Sequence, residues 1–307
     1  MIGLDEGNDK SPDDTNSHST HWSAFLSEAT QRFRSAGFDN PENEARWIVE
    51  TASGYSGASL PHGLEQPATE RGIAHFDGMV ERRLSHEPLQ YVCGSWSFRT
   101  LDLMIDNRVL IPRPETEIVA GIALGELKKR PIKEKKIVVD LGTGSGAIGL
   151  AIATEIEDVD VVLTDISSDA LQVARANLTG LGVHGTNVTI YQGSWFAALP
   201  KDYRNSFSLI VSNPPYISMS EMKSLPANVR DWEPRLALAS GEKGTEYLEL
   251  IVDEAEEWLE HSGSLVLEMA PHHVDAISDR MLSRGYGEVQ IFQDLSGRDR
   301  GVVGKWS

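Results

Sequence analysis

Val138-Val139-Asp140-Leu141-Gly142-Thr143-Gly144-Ser145-Gly146 runs from a short apolar strand, through a glycine turn, into a helix. The strand is expected over residues 137–141 and the helix over roughly 145–156. A second strand at 159–163 ends in Thr164-Asp165, and a helix through Ala170, Val173, Ala174 and Leu178 follows. Strands at 188–191 and 209–211, a helix around 245–260, a strand at 264–267, a further helix and strands at 289–292 and 302–306 continue the series. Such alternation predicts right-handed βαβ units. The expectation is an α/β fold built on a Rossmann-like, seven-stranded, mostly parallel sheet. Residues 293–300, between the last two strands, carry no helical pattern, so at least one edge pairing is expected to be antiparallel.

Upstream the character changes. Residues 1–20 place Asp5, Glu6, Asp9, Asp13 and Asp14 among Ser, Thr, Asn and Gly, and read as a disordered acidic tail. Residues 21–86 read as a small helical bundle. Trp22, Phe25, Leu26, Ala29 and Phe33 form one amphipathic stripe, and Ala45, Ile48, Val49 and Ala52 a second after Asn40-Pro41. Ile73, Phe76, Met79, Val80 and Leu84 form a third, on a helix expected over about 68–85. Residues 87–112 read as a β-hairpin linker, with short strands at Tyr91-Val92, Trp96-Ser97-Phe98 and 101–105. Ile111-Pro112-Arg113-Pro114-Glu115-Thr116-Glu117 then opens a helix with acids in its first turn, and 113–307 forms the main domain.

Composition narrows the function classes. The chain has 307 residues, 40% of them hydrophobic, which suits one large and one small domain. No apolar run is long enough to span a bilayer and no signal sequence is seen, so no membrane association is expected. Cys93 is the only cysteine, which excludes an intrachain disulfide and a cysteine zinc cluster and fits the cytoplasm. His272-His273 is the only histidine pair; adjacent histidines are expected to point apart, and no metal site is expected. A net charge of −18 argues against direct DNA binding, because that affinity comes from Lys and Arg on phosphates. Nothing demands more than a monomer.

Two motifs carry chemistry. Glycines at 142, 144 and 146 permit positive φ and close approach of backbone to a ligand, and the helix start offers N–H groups to an anion. Asp165, at the next strand end, is placed to accept hydrogen bonds from a ribose diol. Together they point to a nucleoside-type cofactor. Residues 144–149 also satisfy G-x-G-x-x-G, so a dinucleotide enzyme is a rival. Against it stand Gly142 directly after the strand and the absence of groups suited to a hydride acceptor. The second motif, Asn213-Pro214-Pro215-Tyr216, follows the apolar run 207–211. Two prolines stiffen the backbone. The Asn213 side-chain amide and the Pro214 carbonyl are then expected to hold a flat, NH2-bearing guest, with Tyr216 covering one face. Both motifs lie at the C-terminal sheet edge, where open α/β sheets bind ligands.

At these residues the chain resembles the class I S-adenosyl-L-methionine-dependent methyltransferases. Within them it is similar to the peptide-chain release factor glutamine N5-methyltransferases. The resemblance rests on Glu87-Pro88-Leu89-Gln90-Tyr91, residues 111–117, residues 140–146, Ser194-Trp195-Phe196, residues 213–216 and Asp294-Leu295-Ser296-Gly297-Arg298-Asp299-Arg300. It implies that Gly142, Thr143, Gly144, Ser145 and Gly146 wrap the methionine end of the cofactor. Asp165 would hold the ribose and Trp195 would lie near the adenine, with S-adenosyl-L-homocysteine as product. It implies that Asn213 and Pro214 accept from the NH2 of a substrate glutamine, beside Pro215 and Tyr216. The implied partner is a release factor presenting the glutamine of a Gly-Gly-Gln loop, with the helical domain as docking surface and 113–307 as catalytic domain. Two departures stand out: Ser194 replaces an acid, and Glu268-Met269-Ala270-Pro271-His272-His273 differs from the family pattern. Glu115, Thr116 and Glu117 either line the cleft or serve as first-turn helix residues, and Phe98 either shields the site or packs. An adenine-N6 methyltransferase acting on a flipped base is the main rival; a noncatalytic cofactor-binding module is a third reading.

Overall fold

The computed structural model describes residues 20–131 and 135–306. The expected acidic tail therefore lies outside the described residues, apart from Thr20. Two compact units divide at Leu84/Ser85.

In the first unit, α1 (Trp22–Ser35), α2 (Pro41–Ser53), α3 (Leu60–Leu64) and α4 (Glu70–Leu84) form an all-helical bundle. The stripes found in the sequence are its interior: Phe33, Ala45, Ile48, Val49, Phe76 and Val80 are fully buried. Trp22, Phe25 and Phe76 meet at centroid distances of 5.2–6.4 Å in tilted and edge-on geometry, favoured by the ring quadrupoles. Pro41 opens α2 with Glu42 and Glu44 in its first turn, and Gly54, at φ 77°, ends it.

The second unit opens with α5 (Leu89–Cys93), then a hairpin of β1 (Ser95–Phe98) and β2 (Leu101–Met104). Tyr91-Val92 is thus a helical turn rather than a strand. Two residues are too few to show a period, and Gly94, at φ 73°, caps the turn while the Tyr91 hydroxyl donates to the Val109 carbonyl at 2.6 Å. Then come α6 (Pro114–Lys128), β3 (Lys136–Leu141), α7 (Ala147–Glu155), β4 (Val159–Asp165), α8 (Ser168–Gly180), β5 (Val188–Gln192) and β6 (Phe207–Ser212). The chain continues through α9 (Ala227–Arg230), α10 (Arg235–Leu238), α11 (Glu246–Ala255), β7 (Leu259–Glu268), α12 (Val274–Ser283), β8 (Tyr286–Gln293) and β9 (Asp299–Trp306).

The main sheet has seven strands in the order β5-β4-β3-β6-β7-β9-β8. The first five are parallel; β9 runs antiparallel to both β7 and β8. Alternate residues feed opposite faces. Val138, Val161 and Leu209 pack under α6 and α7, whereas Val139, Val162 and Ile210 pack under α11 and α12. From β3 the chain builds outward to β4 and β5, then returns to β6 and builds the other way. The crevice at the C-terminal ends of β3 and β6 is therefore a topological switch point, where such sheets bind ligands. Among the described residues no helix is long and apolar enough to cross a membrane.

Candidate active site

The glycine turn after β3 is pinned by two carboxylates. Asp140, 1% exposed, accepts from the Thr143 hydroxyl at 2.6 Å and the Gly149 N–H at 2.9 Å through the same oxygen, Oδ2. It thereby caps the first turn of α7 from the strand below. Burial pushes its carboxyl up to about 6, against the pull of those two bonds. From β4, Asp165 accepts the Gly144 N–H with Oδ2 and the Ser167 N–H with Oδ1, both at 2.9 Å. Burial raises this carboxyl as well, opposed by the backbone donors. Between them the Thr143 N–H reaches the Thr164 carbonyl at 2.8 Å. Gly142 sits at φ 69°, and a Cβ there would stand 3.3 Å from the Trp195 ring, so only glycine fits unstrained.

These groups line a cavity of about 160 Å³. Gly142, Thr143, Gly144, Ser145, Asp165, Trp195 and Asn213 all face it; Gly146 does not, and instead turns the chain into α7 at φ 88°. Trp195, held at φ 46°, tilts against Tyr247 with centroids 5.2 Å apart, giving the cavity an aromatic wall. Ser194 lines the same wall. Tyr247 had no sequence signal beyond its place in the helix expected around 245–260.

The four residues after β6 divide. Asn213 and Pro215 line the cavity, while Pro214 is buried and Tyr216 lies outside the lining. The Asn213 amide nitrogen donates to the Thr116 hydroxyl at 3.4 Å. The Tyr216 carbonyl meets Nε2 of His273 at 3.2 Å. Burial raises the Tyr216 phenol, and the nearby Glu268 adds to the rise. The aromatic residues that line the cavity are therefore Trp195 and Tyr247, and not Tyr216.

The first turn of α6 also divides. Thr116, 3% exposed, faces the cavity. Glu115 pairs with Arg300 at 3.0 Å, and Glu117 accepts the Arg99 N–H at 3.0 Å. Phe98 is buried in the core. One contributor carried no sequence signal: Glu233, 5% exposed, accepts from the Ile111 N–H at 3.3 Å and pairs with Arg113. It ties down the segment that brings Val109, Leu110 and Pro112 to the cavity. His272 and His273 do not point apart. Their ring centroids are 4.0 Å apart because the short turn at 271–273 places both on one side, His272 near Glu221 and His273 on the Tyr216 carbonyl. Among the described residues no three His, Cys, Asp or Glu side chains are grouped to hold a metal ion.

Comparison with known proteins places most of the chain. Residues 24–94 match the family model described as PrmC N-terminal domain, and residues 119–227 match the methyltransferase small domain. The release factor glutamine methyltransferase of Rhodopirellula baltica is 34% identical over 289 residues, covering 92% of this chain and 96% of that protein. Its counterpart in Geobacter sulfurreducens is 35% identical over 269 residues, covering 88% and 91%. Among solved structures, the hMettl16 catalytic domain in complex with the MAT2A 3'UTR hairpin 6 shares the fold, with a TM-score of 0.50, 13% identity, and 78% and 82% of the two chains covered. The chain belongs to the release factor glutamine methyltransferase family.

Proposed function

We propose that this enzyme transfers a methyl group from S-adenosyl-L-methionine to the side-chain amide nitrogen, N5, of a glutamine in a Gly-Gly-Gln loop of a peptide-chain release factor. One observation carries the reading: Asn213, its amide nitrogen taken up by Thr116, lines the same cavity as the glycine turn and Asp165. That arrangement leaves Oδ1 of Asn213 as the acceptor for a planar NH2 group, next to a site shaped for a nucleoside.

The residues fit the cofactor. Residues 142–146 lie at a helix start that favours a carboxylate. Asp165 keeps acceptor capacity after its two backbone bonds, enough for a ribose diol. Trp195 offers a flat apolar face to an adenine ring. When bound, S-adenosyl-L-methionine supplies an electrophilic methyl group on a sulfonium. The protein's part is positioning. An amide nitrogen is a weak nucleophile because its lone pair is delocalised into the carbonyl. Two acceptors, Asn213 Oδ1 and the Pro214 carbonyl, would fix the NH2 in line and favour lone-pair density at nitrogen. Fixing the geometry supplies several kcal/mol of a barrier, and the fixed dipoles add to it. The strong negative charge disfavours nucleic acid as substrate. We infer a monomer acting in the cytoplasm, with the helical unit as a docking surface for the release factor.

The test is transfer of labelled methyl from S-adenosyl-L-methionine, with a release factor or duplex DNA offered in parallel and the labelled residue located by mass spectrometry. Label on the loop glutamine is expected, and label on adenine would overturn the reading. Asn213→Ala is expected to lower kcat by about 100-fold or more, while the Kd for S-adenosyl-L-homocysteine changes little. Ordinary turnover in that variant would remove Asn213 from its role.

A further inference from the structure

We propose that Glu268 is a positioning residue for methyl transfer, acting through the Thr116 hydroxyl to hold the Asn213 amide with Oδ1 toward the substrate. The proposal rests on the functional reading above.

The topology places the three residues together. In the parallel β6–β7 pair Ser212, the last residue of β6, lies opposite Leu267, so the next residues along, Asn213 just after β6 and Glu268 at the end of β7, come to the same level. Thr116, in the first turn of α6, closes the group, bonded to Asn213 and near the Glu268 carboxyl. Glu268 is 1% exposed and Thr116 3%. The Thr116 hydroxyl accepts from Nδ2 of Asn213 at 3.4 Å and stands near enough to the Glu268 carboxyl to favour its charged form.

The chemistry of these groups gives the chain one direction. An ionised carboxylate only accepts, so in the proposed arrangement the Thr116 proton points toward Glu268. The Thr116 lone pairs then remain for a donor, and the NH2 end of Asn213 is the end that fits. Asparagine's two amide atoms are nearly alike in shape, so packing alone does not choose between them. The buried carboxylate does. With the amide reversed, two acceptors would face each other at Thr116, and the substrate NH2 would meet a donor.

Glu268 is costly where it stands. Its Oε2 has no hydrogen-bond partner among the described residues. The cations in its neighbourhood are engaged elsewhere: Arg300 bonds Asp294 and Glu115, and Arg113 bonds Glu233. A buried, incompletely satisfied carboxyl normally destabilises a fold. Burial pushes its carboxyl up to about 7, with Arg300 and Arg113 opposing and Glu115 reinforcing the rise; Tyr216 packs nearby, its carbonyl on His273. A group tolerated at that cost, one hydroxyl away from Asn213, is explained by the orientation it imposes.

The experiment compares the full-length wild type with Thr116→Val, Thr116→Ser, Glu268→Gln and the double variant Thr116→Val/Glu268→Gln. Thr116→Val is expected to lower kcat by about 10- to 100-fold, with Thr116→Ser, which keeps the hydroxyl, within about twofold of wild type. Glu268→Gln is expected to lose about tenfold and the double variant no more than Thr116→Val alone, since Glu268 acts through Thr116. The Kd for S-adenosyl-L-homocysteine stays unchanged, and Glu268→Gln is no less stable to urea than wild type, which a merely structural carboxylate would not allow. Wild-type kcat should rise with pH around neutrality as Glu268 ionises, and Glu268→Gln should flatten that rise. Wild-type kcat in Glu268→Gln, or losses that multiply in the double variant, would overturn the proposal. The NH2 resonances of Asn213, expected to shift in Glu268→Gln, test the chain of bonds without turnover. A wild type that methylates no release factor while those resonances shift would count against the functional reading alone; unshifted resonances would count against the role of Glu268.

Discussion

Asp140 shows how one residue can be structural and costly at once. Its Oδ2 ties the glycine turn to the first turn of α7, yet the carboxyl is wholly buried and pushed up to about 6. The sign of the pH dependence follows. In the unfolded chain this group titrates near 3.8, so between that value and about 6 the native state binds the extra proton. Native stability therefore falls as pH rises through that window, and the loss is complete above about 6. Asp140→Asn keeps an acceptor oxygen and removes the titration. The stability of Asp140→Asn relative to wild type, measured by urea unfolding, is expected to rise by up to about 3 kcal/mol between pH 4 and pH 7. A difference that stays constant with pH would mean that Asp140 is not the group responsible. The aspartate stood out in the sequence only as the acid before the glycines; its depth was not legible there. The place of Asp165 at the cavity was legible, because it is a strand-terminal acid after a glycine turn, but its grip on Gly144 and Ser167 was not.

At the scale of elements, hydrophobic period carried most of the architecture. The alternation of apolar runs and helical stripes from 136 onward gave the seven strands and the antiparallel edge. What it missed were short pieces such as α3, α5, α9 and α10, whose four or five residues are too few to establish a period. Contacts between residues far apart in sequence were equally illegible. Thr116 reaches Asn213 across 97 residues because α6 lies over β6, and Glu233 reaches Ile111 across 122. The β1–β2 hairpin is fixed in the same non-local way. Arg99, at its turn with φ 53°, donates Nε and Nη2 to the two oxygens of Glu155 at 2.6 and 2.8 Å, and its N–H to Glu117 at 3.0 Å. One residue thus ties the hairpin to both α6 and α7. The guanidinium and carboxylate are about one-fifth exposed, so the pair is screened less than a surface bridge. Arg99→Ala is expected to cost about 2 kcal/mol of unfolding free energy and to speed amide exchange in 95–104 more than in β3. A variant with unchanged exchange in the hairpin would show that the turn holds without this pair.

For the whole molecule, two compact units and a cavity at the edge of the main sheet set what ligand binding can report. The helical unit at 20–84 has its own aromatic core around Trp22, Phe25 and Phe76, and the residues proposed to hold the cofactor all lie in the second unit. Each unit has the interior needed for a transition of its own. A ligand bound only to the native second unit stabilises that unit by mass action, about 2.7 kcal/mol at a free concentration one hundred times Kd. Scanning calorimetry with rising S-adenosyl-L-homocysteine is therefore expected to show two transitions. The one belonging to 85–306 should move upward with ligand while the other stays in place. The net charge of −18 adds a second dependence, since self-repulsion weakens both units at low ionic strength and salt relieves it without ligand. Holding salt fixed separates the two effects. If both transitions climbed together with ligand at constant salt, the helical unit would be energetically coupled to the cofactor site, and its role would extend beyond the proposed docking to the state of the site itself.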